Sequence, residues 1–175
     1  MTSRLLVDKI EGKSTTSTVD FPSGTVVQQA NYTDILGSGN RPYQSVNSQT
    51  FGHCSNFDIS ITPKFATSKI FYAGNFNLFG SSSSTYAYAQ IYRSVGGTDT
   101  ALSTSYANGG HIAVTQSIYM QCPIVFIDSP NTTSQVTYKL FVRSESSGGT
   151  VYVGWTPNAS AGENNVQNVV MEIRA

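Results

Sequence analysis

The sequence predicts an all-β fold: an antiparallel β-sandwich or jelly roll carrying an extended N-terminal arm. Three observations predict it. Apolar and polar residues alternate with period 2 in several segments, Gly- and Ser-rich turn signals separate those segments, and no stretch of ten residues or more has a helical period. Many short strands joined by such turns argue for packed sheets. At 175 residues the chain suits one compact domain with a short appendage. A domain near that size buries roughly 70% of the surface its unfolded chain exposes, so its core needs neither metal nor disulfide.

The arm comes first. Arg4, Asp8, Lys9, Glu11, Lys13 and Asp20 crowd into the opening stretch, which closes on the turn signal Phe21-Pro22-Ser23-Gly24. Leu5-Leu6-Val7 and Ile10 form an apolar cluster too short to make a core of its own. It must bury itself against its own body, a symmetry mate or a docking partner. The division is therefore an anchoring or intertwining arm over 1–24 and a sandwich head over 25–175.

Within the head, Phe57, Ile59 and Ile61 alternate with Asp58 and Ser60 until Pro63 ends the run. Lys69 to Phe79 places Ile70, Tyr72, Phe76 and Leu78 on one face and Phe71, Ala73 and Phe79 on the other, the pattern of a central strand covered on both sides. Ser81 to Ser84 is a loop. Tyr86 to Arg93 follows as a strand with Tyr86, Tyr88 and Tyr92 pointing one way and Ala87, Ala89 and Ile91 the other. Gly96-Gly97 and Gly148-Gly149 read as two hairpin turns. Ile112 to Val114 and Ile118 to Ile127 are further strands, and Gln135 to Arg143 is the clearest, with Val136, Tyr138, Leu140 and Val142 against Thr137, Lys139 and Phe141. Val151 to Trp155 and Asn168 to Arg174 complete the set. Tyr138, Tyr152 and Trp155 are expected in a buried cluster between sheets.

Composition narrows the function. Charged residues are 11% of the chain, with ten basic against ten acidic, against a usual share of ~25%. No basic cluster exists to neutralise phosphates, so nucleic-acid binding is not expected. Aromatics at 11% argue against disorder, and no apolar run approaches the ~20 residues of a spanning helix. Cys54 and Cys122 read as buried free thiols.

Reactive constellations are scarce. His53 and His111 are the two histidines, too few for a multi-histidine metal site. His53-Cys54 with Asp58 could be drawn as a thiol, imidazole and carboxylate, yet neighbours on one strand point to opposite faces. Asp58, Asp99, Asp128 and Glu145 are candidate paired carboxylates, most of them beside turns. No phosphate-binding glycine loop or nucleophile-elbow motif occurs. No enzyme, metal or cofactor is expected. The Tyr86, Tyr88, Tyr92 face is the binding feature of most interest, since rings with polar tips suit core packing, a subunit contact or a sugar- or receptor-facing stripe.

Leu5-Leu6-Val7-Asp8-Lys9-Ile10-Glu11 resembles the opening of small tail-fibre-like virion surface proteins of marine bacteriophages and cyanophages. Ile59-Ser60-Ile61-Thr62-Pro63 followed by Ala66-Thr67-Ser68-Lys69-Ile70 resembles a phrase of the same proteins, in which a strand ends in Thr-Pro and Ser-Lys-Ile opens a long apolar strand. Tyr92-Arg93-Ser94 and the closing strand match only loosely. The resemblance implies a β-sandwich head, commonly trimeric, whose N-terminal segment attaches to the particle or intertwines with its mates. Leu5, Leu6, Val7 and Ile10 are then the assembly residues, and the partners are further copies of the chain, other virion proteins and a host-surface glycan or protein. Met1 to Ile10 has no signal-peptide pattern, so the protein is expected to be made in the host cytoplasm and to end on the virion surface. A fibre or spike is the first expectation. A capsid decoration protein and a carbohydrate-binding module are its rivals.

Overall fold

The computed structural model describes residues 22–34, 44–81, 86–102, 113–114, 119–154 and 166–175. Among the described residues, twelve strands form two antiparallel sheets. They are β1 (Val26–Asp34), β2 (Gln44–Val46), β3 (Gly52–His53), β4 (Ile59–Ile61), β5 (Lys69–Gly80), β6 (Ala87–Val95), β7 (Thr98–Ala101), β8 (Ala113–Val114), β9 (Tyr119–Asp128), β10 (Val136–Ser144), β11 (Val151–Val153) and β12 (Val166–Ile173). The predicted antiparallel sandwich is what forms. The arm and its apolar residues Leu5, Leu6, Val7 and Ile10 lie outside the described residues, as do Ile112, Ile118 and Trp155.

The first sheet is built around β5. Along one edge it pairs with β12 and then β11; along the other it pairs with β9 from Ile70↔Asp128 to Phe79↔Tyr119. β1 lies beyond β12, and β2 beyond β11. The second sheet is built around β10, flanked by β6 on one side and by β3 and β4 on the other, with β7 and β8 outside β6. Among the described strands, β6 and β7 are the one consecutive pair that hydrogen-bond to each other. Their turn, Gly96-Gly97, has positive φ at both residues, the geometry a two-residue hairpin needs and glycine tolerates best. Gly148-Gly149 is not a hairpin. It carries the chain from β10 in the second sheet to β11 in the first. A Gly pair marks a turn but does not say which strand the chain meets next.

The core lies between the sheets. Ile70, Tyr72, Phe76 and Leu78 of β5 and Cys122 and Ile124 of β9 face Val136, Tyr138, Leu140 and Val142 of β10 and Ala87, Ala89 and Ile91 of β6, all buried. Tyr72 and Tyr138 meet across the gap at 5.7 Å between ring centroids, with Phe126 stacked on Tyr72 at 4.9 Å. Gly74 sits in the same layer because nothing larger fits: a Cβ there would come within 2.7 Å of both the Tyr72 hydroxyl and Asn168 Oδ1. Phe57, expected in a strand, belongs to a 3-10 turn at Ser55–Phe57 and drops its ring into the core beside Phe76. Tyr138 is in the inter-sheet cluster as predicted. Tyr152 is not, because it lies opposite Phe79 on the outward side of the first sheet.

Candidate functional site

Carboxylates serve the fold at two places flanking Ile70. Glu172 on β12 and Asp128 on β9 are both register partners of Ile70, so their side chains share one inward row. Glu172, fully buried, accepts hydrogen bonds from the backbone N–H groups of Lys64 and Phe65 at 2.8 and 3.1 Å and from Gln28 Nε2 at 2.7 Å. Burial pushes its pKa up, but the bonds from Lys64, Gln28 and Phe65 outweigh that and hold it below the ordinary value of 4.5. The loop between Thr62-Pro63 and Ser68-Lys69 is thereby fixed. Asp128 accepts from Arg93 Nη1 at 2.7 Å and from the Tyr138 hydroxyl at 2.9 Å, a clasp between the sheets. Burial and the Asp128 charge raise the Tyr138 pKa, so its hydroxyl keeps its proton and donates. Asp128, a candidate paired carboxylate in the sequence, is an inter-sheet anchor instead, and Glu172 is an anchor that the sequence does not single out. Its only signal was an acid at a core-facing step of a strand.

Most of the other predicted reactive groups are either paired or buried. His53 Nε2 bonds Asp58 Oδ1 at 2.7 Å, and the imidazole stacks on Phe141 at 5.0 Å. Cys54 beside them is fully buried, and burial, with the Asp58 charge adding to it, pushes its pKa up to about 12. At neutral pH it is a thiol and no nucleophile. Cys122 is likewise buried and free, its pKa also pushed up to about 12 by burial. Asp99 pairs with Lys139 at 2.9 Å. Glu145 donates its backbone N–H to the Tyr86 carbonyl. Among the described residues no group of three or more His, Cys, Asp or Glu could hold a metal ion, and no helix is long and apolar enough to cross a membrane. His111 lies outside the described residues.

The outward face of the second sheet carries the tyrosine stripe. Register pairs Arg143 with Tyr88, Phe141 with Gln90 and Lys139 with Tyr92, so these side chains share one face. The Arg143 guanidinium lies 4.2 Å over the Tyr88 ring and 5.4 Å from that of Phe51. Tyr92 packs on Phe141 at 4.1 Å. Tyr88 is left 9% exposed, while Tyr86, just before β6, is 42% exposed. Tyr88 and Tyr92 thus spend a ring face on their own sheet, and Tyr86 keeps the more open ring.

The outward face of the first sheet differs. Its rows run Ile127, Phe71, Met171, Gln29; then Val125, Ala73, Val169, Asn31; then Pro123, Asn75, Gln167. Val125 and Ile127 are each 61% exposed and Val26, at the corner, 51%. Beside them a shallow depression of about 380 Å³ is lined by Asn31, Ala73, Asn75, Gln167 and Val169, among others. No ionisable side chain occurs in these three rows. The sequence predicted that β5 would be covered on both faces; the described chain covers the inner face fully and leaves Phe71, Ala73 and Phe79 half-buried.

No protein-family model matches the chain, and no curated protein does either. Among solved structures it is similar to the VP2 protein of infectious bursal disease virus. The D431N mutant in derived T=1 particles is 17% identical with a TM-score of 0.46, over 97% of this chain and 41% of that one. The VP2 subviral particle has the same identity and TM-score, with 42% of its chain covered, and the Gx strain has a TM-score of 0.45 with 43% covered. The chain spans less than half the length of these proteins. The β-sandwich assignment rests on the sheets themselves.

Proposed function

We propose that the chain is a structural component of a bacteriophage particle: a non-enzymatic β-sandwich head on an N-terminal arm, assembled as a homotrimeric fibre or spike that meets the host surface. One observation carries this reading. The titratable side chains His53, Asp58, Arg93, Asp99, Asp128, Lys139 and Glu172 are tied into contacts that hold the body together, while a broad sheet face carries no charge and mixes apolar residues with the amides Gln29, Asn31, Asn75 and Gln167. That division suits assembly better than chemistry. The resemblance of residues 5–11 and 59–70 to virion surface proteins points the same way, and the second phrase is the loop that Glu172 locks.

In this reading the arm's Leu5, Leu6, Val7 and Ile10 bind other virion proteins or neighbouring copies. Of the segments 81–85, 96–104 and 144–150 that carry host contact in this reading, 82–85 and 103–104 lie outside the described residues and Thr98–Ala101 form β7; loops on a rigid sandwich tolerate change. Weak individual contacts multiply over several copies. A capsid decoration protein is the second reading, favoured by the broad uncharged face, which suits lying against a shell. A glycan-binding module is less well supported, because Tyr88 and Tyr92 use ring faces on Arg143 and Phe141. Mass spectrometry of purified particles, with antibody labelling under the electron microscope, tests the proposal. Label at tail or head fibres is the expected result, label spread over the shell favours decoration, and absence from purified particles defeats both.

A further inference from the structure

We infer that the outward face of the β9–β5–β12–β1 sheet is where one copy of this chain packs on another, with Val125 and Ile127 of one copy seated over Ala73 of the next. The inference rests on the homo-oligomeric reading above and deepens it by naming the contact face.

Size is the first argument. Four strands spaced ~4.8 Å apart and about nine residues long at ~3.3 Å each give roughly 600 Å² in projection for the whole face, the Lys69 row included, and about 400 Å² for its three middle rows. A standard interface takes ~800 Å² of accessible surface per partner, a value a side-chain-covered face of that extent reaches. Apolar patches beyond a few hundred Å² are uncommon on monomers and mark contact sites.

Charge is the second. The three middle rows hold no ionisable residue, so the face meets a copy of itself without like-charge repulsion. Lys69 stands outside them, in the row of Ile173 and Val26.

Shape is the third. Val125 and Ile127, each 61% exposed, make a ridge on β9, and the depression of about 380 Å³ lies beside it over β5, β12 and β1. Ridge and depression share the row of Val125 and Ala73. A twofold axis along the strands places each ridge in the other copy's depression, whereas a three-membered ring divides the face between two neighbours, ridge to one and depression to the other. Pro123 separates this mode from strand addition. It sits within β9, a strand that pairs only with β5 among the described residues, and a proline on an edge discourages a further strand. Strand addition along β9 is thereby disfavoured, and the face beside it is the surface left for the ridge to use.

The test uses the full chain and light scattering on a size-exclusion column. Three variants are compared with the unaltered protein: V125K/I127K, the milder V125T/I127T, and T98K/T100K, which adds equal charge at exposed positions of the other sheet. Near-ultraviolet circular dichroism checks that each is folded. The unaltered protein and T98K/T100K are expected to run as multimers, V125K/I127K as one chain of 18.8 kDa, with association weakened at least 100-fold. V125T/I127T is expected to weaken it about tenfold, and it decides the matter if the lysine variant does not fold. A multimer of two chains that V125K/I127K dissociates upholds this face and removes the trimer. A multimer that survives both substitutions overturns the face and leaves the homo-oligomer standing. An unaltered protein of one chain's mass overturns the face and the homotrimer together, while the virion reading is judged by the particles.

Discussion

The two outward faces of the sandwich are finished differently. On the second sheet, Phe51, Arg143 and Tyr88 stack in succession, Phe141 lies against both His53 and Tyr92, and Lys139 reaches Asp99. Each long side chain covers its neighbour. On the first sheet Val125 and Ile127 stand out with 61% of their surface in water, next to a depression floored by Ala73. Both faces come from the same period-2 alternation. The difference lies in what alternates: aromatic and cationic residues that cover one another, or, on β9, short β-branched residues left largely in water. A sheet face of the first kind is complete as a monomer surface, whereas one of the second kind gains from a partner.

Substitutions sharpen that contrast, starting with the inner anchors that hold both sheets in place. Glu172→Ala strips a buried acceptor from the N–H groups of Lys64 and Phe65 and should cost about 3–4 kcal/mol, read from urea unfolding. The same anchor gives a pH signature. Because the Glu172 pKa is lowered on folding, its contribution is complete above the unfolded value of 4.5 and fades as pH falls through the lower folded value. Stability of Glu172→Gln should therefore be flatter than that of the unaltered protein below pH 4.5. Next, Phe141→Ala removes the ring on which both His53 and Tyr92 pack. It should cost about 2–3 kcal/mol with the native mass unchanged, the reverse of what V125T/I127T does. A change of mass in Phe141→Ala would break the contrast. Lys139→Ala, losing a partly exposed pair with Asp99, should cost less than ~1 kcal/mol, and a larger loss would mean that this face depends on charge more than on ring packing.

Much of the architecture was legible because half-buried strands write their burial into alternate residues. β5, β6 and β10 follow the predicted faces, and β12 forms where the last strand was expected. Less was legible where tertiary partners decide. Gly148-Gly149 looks like Gly96-Gly97 in sequence, yet one crosses between sheets and the other closes a hairpin. Tyr152 and Tyr138 both read as buried rings, but only the strand order puts Tyr138 inside. The short strands β2, β3 and β7 are rich in polar residues and exist because β11, β10 and β6 offer them an edge. Among the candidate contacts, the tyrosine stripe was visible from spacing alone. The exposure of Val125 and Ile127 was not, since Ile118 to Ile127 reads only as a further strand with no face assigned to either side. Which face the chain itself covers is fixed by the other sheet, residues away in sequence.

Hydrogen–deuterium exchange on the full chain, at concentrations well above and well below its association midpoint, tests the central contrast most directly. The account predicts that raising concentration slows exchange in β9 and the facing residues of β5 and β12, while β6, β7 and β10 exchange at the same rate at both concentrations. Protection that rises with concentration in β6, β7 and β10 and leaves β9 unchanged would contradict it.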